Sequence, residues 1–406
     1  MKARRYQYAS IFRAIYTFAG FVYCFVNRCN DYIELILRRT KTTAICPKCG
    51  RHNRTSSEFY RRTIRDLDIG PLRSYITFEE NKVYCKCGFK GNEKLDFVEA
   101  YSRCTVRFEE YIFMFCPVMS LNDIHRIFGI DWKTVKDIDI RYTTKALETL
   151  KNITPKRIGV DEIAFEKGQS YLTIVRDLDL GKVIWIGFER KKETLDRFFD
   201  ELGREKSEKI EVVVMDMWDP YIASVNEHCP AADIVFDKFH IVKTVNVALD
   251  KVRKEQFADA SDEERKNMKR KRFIILRREE NLNEKQHQLL EELKQKNEPL
   301  YQAYLLKEHI CELLDGTDLD VAVDGLDIWK RNVEKSGFKP FAKCLNTIKN
   351  YFYGVLNYFR HLVTNAGSEG FNNKINLIKR RAYGYADPDY FKLKIFQACG
   401  LMKSNP

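Results

Sequence analysis

A chain of 406 residues has room for roughly two to four domains, and 44% hydrophobic with 13% aromatic residues can fill real cores. The formal net charge of +12 favours a polyanionic partner without identifying one. The 12 cysteines exclude the dense ladder of a small secreted scaffold: four form two close pairs and the rest are scattered, which suits a reducing, cytoplasmic setting with one metal site.

Residues 1–45 form an apolar and basic arm. Lys2, Arg4 and Arg5 precede an aromatic-rich apolar run, Ala14 to Val26, with the outline of a signal peptide or short anchor. The run is too short to span a bilayer comfortably, Arg13 interrupts any upstream extension, and no small-residue cleavage site is evident. The expectation is a docked amphipathic or buried helix, with no export or membrane insertion.

Residues 46–103 read as a short, polar, turn-rich zinc-binding module. Cys46-Pro47-Lys48-Cys49-Gly50 has knuckle spacing, in which a two-residue gap and a following glycine let two thiolates converge on one ion. The second pair, Cys85-Lys86-Cys87-Gly88, has a tighter one-residue gap. Four thiolates would close a structural Zn²⁺ site and leave no position for catalysis. The alternatives are four reduced cysteines in a β-rich module, or a site in which His52 replaces one thiolate.

Residues 104–150 read as helices. Ser120 can cap a first helix with Ile124, Ile127 and Phe128 buried, Gly129 supplies a turn, and Asp131 can cap a second helix with a stripe of Val135 and Ile138. This helix-turn-helix pattern leaves Trp132, Lys133, Thr134, Lys136 and Asp137 available to a DNA major groove.

From 151 to 240 the pattern changes to short β-branched runs: Arg157–Phe165, Tyr171–Arg176, Val183–Phe188, Ile210–Met215 and Asp233–Phe236. Helical patterns at Lys191–Arg204 and around Pro220–Glu227 separate the last three. Three strands followed by strand–helix–strand indicate a mixed α/β sheet. Residues 241–345 are rich in Lys, Arg, Glu and Gln, include Lys269-Arg270-Lys271-Arg272, and read as a helical insertion of long solvated helices. Residues 346–406 read as a C-terminal helical part of the core, with a break at Asn365–Gly370.

Asp161 lies within the first strand run and Asp216 closes the fourth. A carboxylate at a buried strand end costs several kcal/mol unless it is paired or holds a metal. A third acid from a later helix, Glu369, would complete a set of hard oxygen ligands for Mg²⁺ or Mn²⁺ and two-metal phosphoryl chemistry. Asp237 and His240 can line the same site or simply cap a helix, and Asp219 is a further acid nearby. Glu162 adjoins Asp161 but alternation turns it to the other face of a strand. Phosphate-loop, dinucleotide and nucleophile-elbow motifs are absent.

These segments together resemble a known family, the ISL-three group of bacterial insertion-sequence transposases. The resemblance runs from residue 46 to about 400 and rests on Gly159-Val160-Asp161-Glu162-Ile163-Ala164, Lys191-Lys192-Glu193-Thr194-Leu195, Met215-Asp216-Met217-Trp218-Asp219-Pro220-Tyr221, Phe236-Asp237-Lys238-Phe239-His240, Asn365-Ala366 through Glu369-Gly370, and Ile378-Lys379-Arg380-Arg381-Ala382-Tyr383-Gly384-Tyr385. It implies an α/β, ribonuclease H-like core with a helical insertion, preceded by a zinc module and a helix-turn-helix. It also implies an Asp-Asp-Glu triad at Asp161, Asp216 and Glu369, acting with Mg²⁺ on double-stranded DNA, namely terminal inverted repeats and target DNA. A homo-oligomer acting at the nucleoid, with no small-molecule substrate, is the corresponding expectation. Lys374, Lys379, Arg380 and Arg381 are expected to contact phosphate. A nuclease that cuts without joining and a non-catalytic DNA-binding regulator are the alternatives.

Overall fold

The computed structural model describes residues 4–6, 17–54, 58–164, 171–262, 265, 271–365, 367–382 and 384–401, with backbone alone at 4–6, 151, 368 and 369. Ala14 at the start of the apolar run, and Lys269 and Arg270 of the basic run, fall outside them. The chain divides into two compact units, Met1–Lys145 and Ala146–Pro406.

The first unit is built on a six-stranded sheet. Its strands are β1 (Arg4–Tyr6), β2 (Phe21–Arg28), β3 (Tyr32–Arg39), β6 (Phe59–Ile69), β7 (Leu72–Tyr84) and β8 (Lys90–Asn92), in the order β1-β2-β3-β7-β6 with β8 beside β7. Two short strands, β4 (Thr43–Ile45) and β5 (His52–Arg54), pair separately. The structure corrects the helix expected for the apolar run: Phe21 to Val26 lie in β2, and the described residues 17–20 lead into it. Phe21 and Tyr23 face the core, and a register shift between Tyr23 and Phe25 resets the alternation so that Val26 is buried too. Among the described residues no helix is long and apolar enough to cross a membrane.

Residues 46–103 also differ from the short, turn-rich reading, since β6 and β7 are 11 and 13 residues long. Their charged residues disguised them. Asp66 is buried, where its carboxylate accepts from Thr105 Oγ1 and Arg107 Nε, both at 2.7 Å. Arg65, buried beside it, donates to the Asp66 and Ser74 carbonyls. Pairing of this kind lets charged side chains occupy a sheet interior. Three helices follow: α1 (Val106–Phe115), α2 (Leu121–Phe128) and α3 (Trp132–Leu147).

The second unit centres on a five-stranded sheet of β9 (Arg157–Ala164), β10 (Tyr171–Asp177), β11 (Lys182–Phe188), β12 (Val212–Met215) and β13 (Asp233–Phe236). The order is β11-β10-β9-β12-β13; the β9–β10 and β10–β11 pairs are antiparallel, and the β9–β12 and β12–β13 pairs are parallel. On one face, Ile158, Val160, Val213 and Met215 pack against α4 (Lys192–Leu202) and α5 (Asp219–His228). On the other face two groups divide the sheet. Ile163, Leu172 and Ile174 meet α12 (Gly367–Arg381) and α13 (Pro388–Phe396). Val212, Val214 and Val235 meet the insertion, α6 (Lys238–Asp259), α7 (Glu284–Lys296), α8 (Glu298–Asp315), α9 (Leu319–Ser336) and α10 (Lys339–Asn350), together with α11 (Phe352–His361).

The insertion is less solvated than its composition suggests. Trp329, Tyr304, Phe341, Val245 and Leu249 share one buried cluster, and Trp329 Nε1 donates to the Leu306 carbonyl at 2.7 Å. Helical spacing collects few apolar residues onto facing stripes, which is enough when several helices contribute to one core. The break near the C-terminus also sits earlier than expected, since α12 already begins at Gly367. Leu362, in the left-handed region at φ 49°, ends α11 instead.

Candidate active site and nucleic-acid interface

Two backbone turns bring the cysteines together. The Gly50 N–H returns to the Cys46 carbonyl and the Gly88 N–H to the Cys85 carbonyl, both at 2.9 Å, with Gly50 and Gly88 in the positive-φ region. Cys46 and Cys87 sulfurs lie 3.7 Å apart, Cys49 and Cys85 sulfurs 3.5 Å, and all four fall within 4.8 Å of one another. A tetrahedral ion with Zn–S bonds of about 2.3 Å requires sulfur–sulfur edges of about 3.8 Å. The four thiols thus fit a structural zinc despite the tight Cys85–Cys87 gap. Among the described residues the cluster is these four cysteines, and His52 is not part of it.

The helix-turn-helix forms on the caps that its sequence supplies. Ser120 Oγ accepts the Asp123 N–H at 3.1 Å, Gly129 ends α2 at φ 64°, and Asp131 Oδ1 accepts the Lys133 N–H at 2.9 Å. Ile124, Phe128, Val135 and Ile138 are buried. Ile127 is not: it is 61% exposed, because the α2–α3 core takes Ile124 and Phe128 one turn apart and leaves position 127 outside that stripe. Trp132 and Lys133 are exposed at the start of α3, and Thr134 and Lys136 are half-buried.

In the second unit, strand register aligns three acids. Val214 lies beside Gly159 on parallel β12 and β9, and Met215 beside Phe236 on parallel β12 and β13. Carrying those registers on by one or two residues sets Asp161, Asp216 and Asp237 at one level on three adjacent strands. Alternation gives their face. Asp161 shares parity with Ile163, which packs toward α12 and α13; Asp216 shares it with Val212 and Val214, and Asp237 with Val235, which pack toward the insertion. All three point to the same side of the sheet, at the seam between its two helical covers.

Side-chain contacts fix this row. Asp161 Oδ2 accepts from Asn372 Nδ2 of α12 at 3.1 Å, while its Oδ1 accepts the Glu162 N–H at 2.7 Å. Asp216 Oδ1 lies 2.8 Å from His240 Nε2. Asp237 caps α6 by accepting the Phe239 N–H at 3.0 Å. Burial raises the Asp237 carboxyl, and the charges of Asp216 and Asp161 add to the shift. Burial alone would lower His240, but its bond to Asp216 and the charge of Asp237 outweigh it and raise the imidazole. The acids and His240 line a cleft of about 1020 Å³.

Glu162 takes the opposite face, toward α4 and α5, yet also lines the same cleft. Burial pushes its carboxyl up to about 7, against the pull of Arg190, which pairs with it at 2.6 Å and stacks over Trp218 at 4.2 Å. Asp219 accepts the Tyr351 hydroxyl at 2.7 Å and stands apart from the cleft lining. The backbone sets Glu369 in the first turn of α12; its side chain lies outside the described residues. Along α12, Lys374 Nζ sits 2.5 Å from the Ala398 carbonyl, Lys379 Nζ 3.3 Å from the Ala164 carbonyl, and Arg380 is exposed.

Three supporting residues escaped the sequence reading. Arg176, buried in β10, donates to Asn365 Oδ1 and packs over the Phe371 ring at 4.6 Å. Arg190 follows the end of β11, and Asn372 lies three residues beyond Glu369, a helical spacing that could have flagged it.

Comparison with known proteins finds one family along the chain. A transposase family model matches residues 158–395, a model of the helix-turn-helix domain of transposase family ISL3 matches 93–143, and a zinc-finger model of the transposases of IS204, IS1001, IS1096 and IS1165 matches 42–87. The transposase for insertion sequence element IS1001 of Bordetella parapertussis is 31% identical over 367 residues, covering 89% of this chain and 90% of that protein. The transposase for insertion sequence element IS1557 of Mycobacterium tuberculosis is 27% identical over 389 residues, covering 88% and 87%. The paired cysteines, the helix-turn-helix and the row of acids thus fall, in order, inside three matched segments of one family, and the chain belongs to the ISL3 family of insertion-sequence transposases.

Proposed function

We propose that the chain cuts and joins DNA at the terminal inverted repeats of a mobile element, using a ribonuclease H-like core in the second unit. The observation that carries this reading is the alignment of Asp161 and Asp216 at one level and on one face of adjacent parallel strands. Sheet order supports it, with three antiparallel strands followed by two parallel ones. Glu369 sits one turn before Asn372 on α12, and Asn372 touches Asp161.

Asp161, Asp216 and Glu369 would hold Mg²⁺ or Mn²⁺. Such ions supply a water or 3′-hydroxyl nucleophile and neutralise charge on the leaving oxygen. The fit is chemical: carboxylate oxygens are the donors that hard cations take, and Asp161, Asp216 and Asp237 bring three carboxylates to one cleft. The protein's own part is positional. Asn372 orients Asp161 and His240 orients Asp216, each through one oxygen. In the first unit, Trp132, Lys133, Thr134 and Lys136 would read or hold duplex DNA, while Lys379, Arg380 and Arg381 would meet phosphate beside the site.

The test is cleavage of DNA carrying the flanking inverted repeats in Mg²⁺, comparing the native chain with Asp216→Asn. The expected result is cleavage lost in the variant with DNA binding kept. Equal behaviour of the two proteins would remove Asp216 from the mechanism. Pre-cut ends then separate joining from cutting alone.

A further inference from the structure

Helix α6 starts at the acid row and carries a second feature away from it. Phe239 is 60% exposed at the mouth of the cleft. Its ring lies edge-on to His240 at 5.4 Å, and His240 in turn meets Asp216. The same helix buries Ile241, Val245 and Leu249 in the core, so Phe239 belongs to its outer face. Lys243, Val247 and Lys251 follow Phe239 at four-residue steps, all exposed, and therefore form one stripe.

A groove of about 380 Å³ follows this stripe. It shares Phe239, Val242, Lys243 and Val247 with the acid-lined cleft, so the two are continuous. Charge changes sign along the path. Asp161, Glu162, Asp216, Asp237 and Asp315 line the cleft against Arg190, Lys238 and Lys243. The groove is lined by Lys243, Lys251, Lys254 and Arg272 against Asp250, four cations to one carboxylate. Asp250 is already shared among Arg253, Lys254 and Arg272, which leaves Lys243 and Lys251 outside that network.

We infer that this groove is a track for one DNA strand running from the carboxylate site, with Phe239 stacked on the base beside the reacting phosphate and Lys243 and Lys251 on phosphates further along. The inference rests on the carboxylate row being the reaction site. The chemistry fits a nucleic-acid strand on both counts, since an exposed aromatic face takes an unpaired base and spaced cations take the backbone. Bases within a duplex are already stacked on one another, so a ring at the cleft mouth has a partner only where the strand is opened. Lys243 and Lys251 are about 12 Å apart along the helix axis. That distance spans roughly three to four nucleotide steps at a stacked rise of about 3.4 Å.

The experiment measures binding of the full chain to a short single-stranded oligonucleotide, without catalytic metal, across a salt series. Phe239→Ala should weaken binding about 5- to 150-fold. Lys243→Gln with Lys251→Gln should flatten the slope of log affinity against log salt by about 1.4, near 0.7 per lost phosphate contact. All three positions are exposed, so folding is spared. Unchanged affinity and slope in these variants would overturn the track. So would a slope that responds to Lys133→Gln in the first unit instead. A chain that binds the oligonucleotide through Phe239 and both lysines yet never cuts the repeats removes the catalytic reading alone. A chain that cuts the repeats but binds the strand without these residues removes the track alone.

Discussion

Gly159 lies two residues before Asp161 on β9, and a methyl group there would have no room. A Cβ would stand 2.6 Å from Asn365 Oδ1 and 2.9 Å from Leu178 Cδ2. Asn365 cannot simply turn away: it is 4% exposed, and the buried Arg176 guanidinium holds its oxygen. Gly159→Ala must therefore shift the segment leading into α12. Overpacking of this kind costs about 1–3 kcal/mol. For a unit of this size each kcal/mol lowers Tm by about 2–4 °C, so calorimetry should show a fall of about 2–12 °C in the transition of the second unit. Cleavage should fall further than stability does, because α12 carries Asn372 against Asp161, and a misplacement of about 1 Å can cost about a hundredfold in rate. Asn365→Gly supplies the internal control. It deletes the nearer of the two clashing atoms and leaves Leu178 Cδ2, the end of a flexible side chain, so adding Gly159→Ala to it should cost less than Gly159→Ala alone. An alanine variant with wild-type Tm and cleavage, or a cost undiminished in the Asn365→Gly background, would refute the packing argument.

Two further predictions concern the first unit. The purified chain should carry about one equivalent of zinc, and Cys49→Ser should release it and lower the unit's thermal stability without unfolding the large sheet, whose core of Phe21, Leu35, Ile76 and Phe78 is separate from the cysteine cluster; metal analysis and circular dichroism check both halves, and zinc retained in the variant would contradict the four-thiol site. Ile124→Ala should cost about 2–5 kcal/mol in denaturant unfolding, whereas Ile127→Ala, at a position 61% exposed, should stay within about 0.5 kcal/mol; equal costs would contradict the α2–α3 packing.

How far the sequence revealed the molecule depended on how directly each segment expressed its period. Strands β9 to β13 were legible because buried strands read as nearly continuous β-branched runs. The helix-turn-helix was legible because Ser120, Gly129 and Asp131 each carry a local signal. β6 and β7 hid behind Arg65, Asp66 and Glu80, whose burial depends on partners distant in sequence, as with Arg107 on Asp66. β2 was misread because aromatic and apolar residues without a clear period suit a buried helix and a strand equally. The role of Asn365 and Arg176 could not be read from spacing, since 189 positions separate them.

The arrangement of the second unit follows from placing acids where a sheet changes its cover. Asp161 belongs by parity to the half packed by α12 and α13, and Asp216 and Asp237 to the half packed by the insertion. Only at the seam between these covers can the carboxylates share one face without being sealed into either core. Full burial of three acids would be costly unless each were paired, and among the described residues each has a partner. Asn372 and His240 each engage one carboxylate, while the Phe239 N–H engages Asp237. The two helical covers also supply these contacts from opposite sides, Asn372 from α12 and His240 from α6. The geometry of the acid row therefore depends on both covers docking correctly. A substitution that loosens either one, even far from the cleft, should act first on the spacing of Asp161 and Asp216 and only second on global stability.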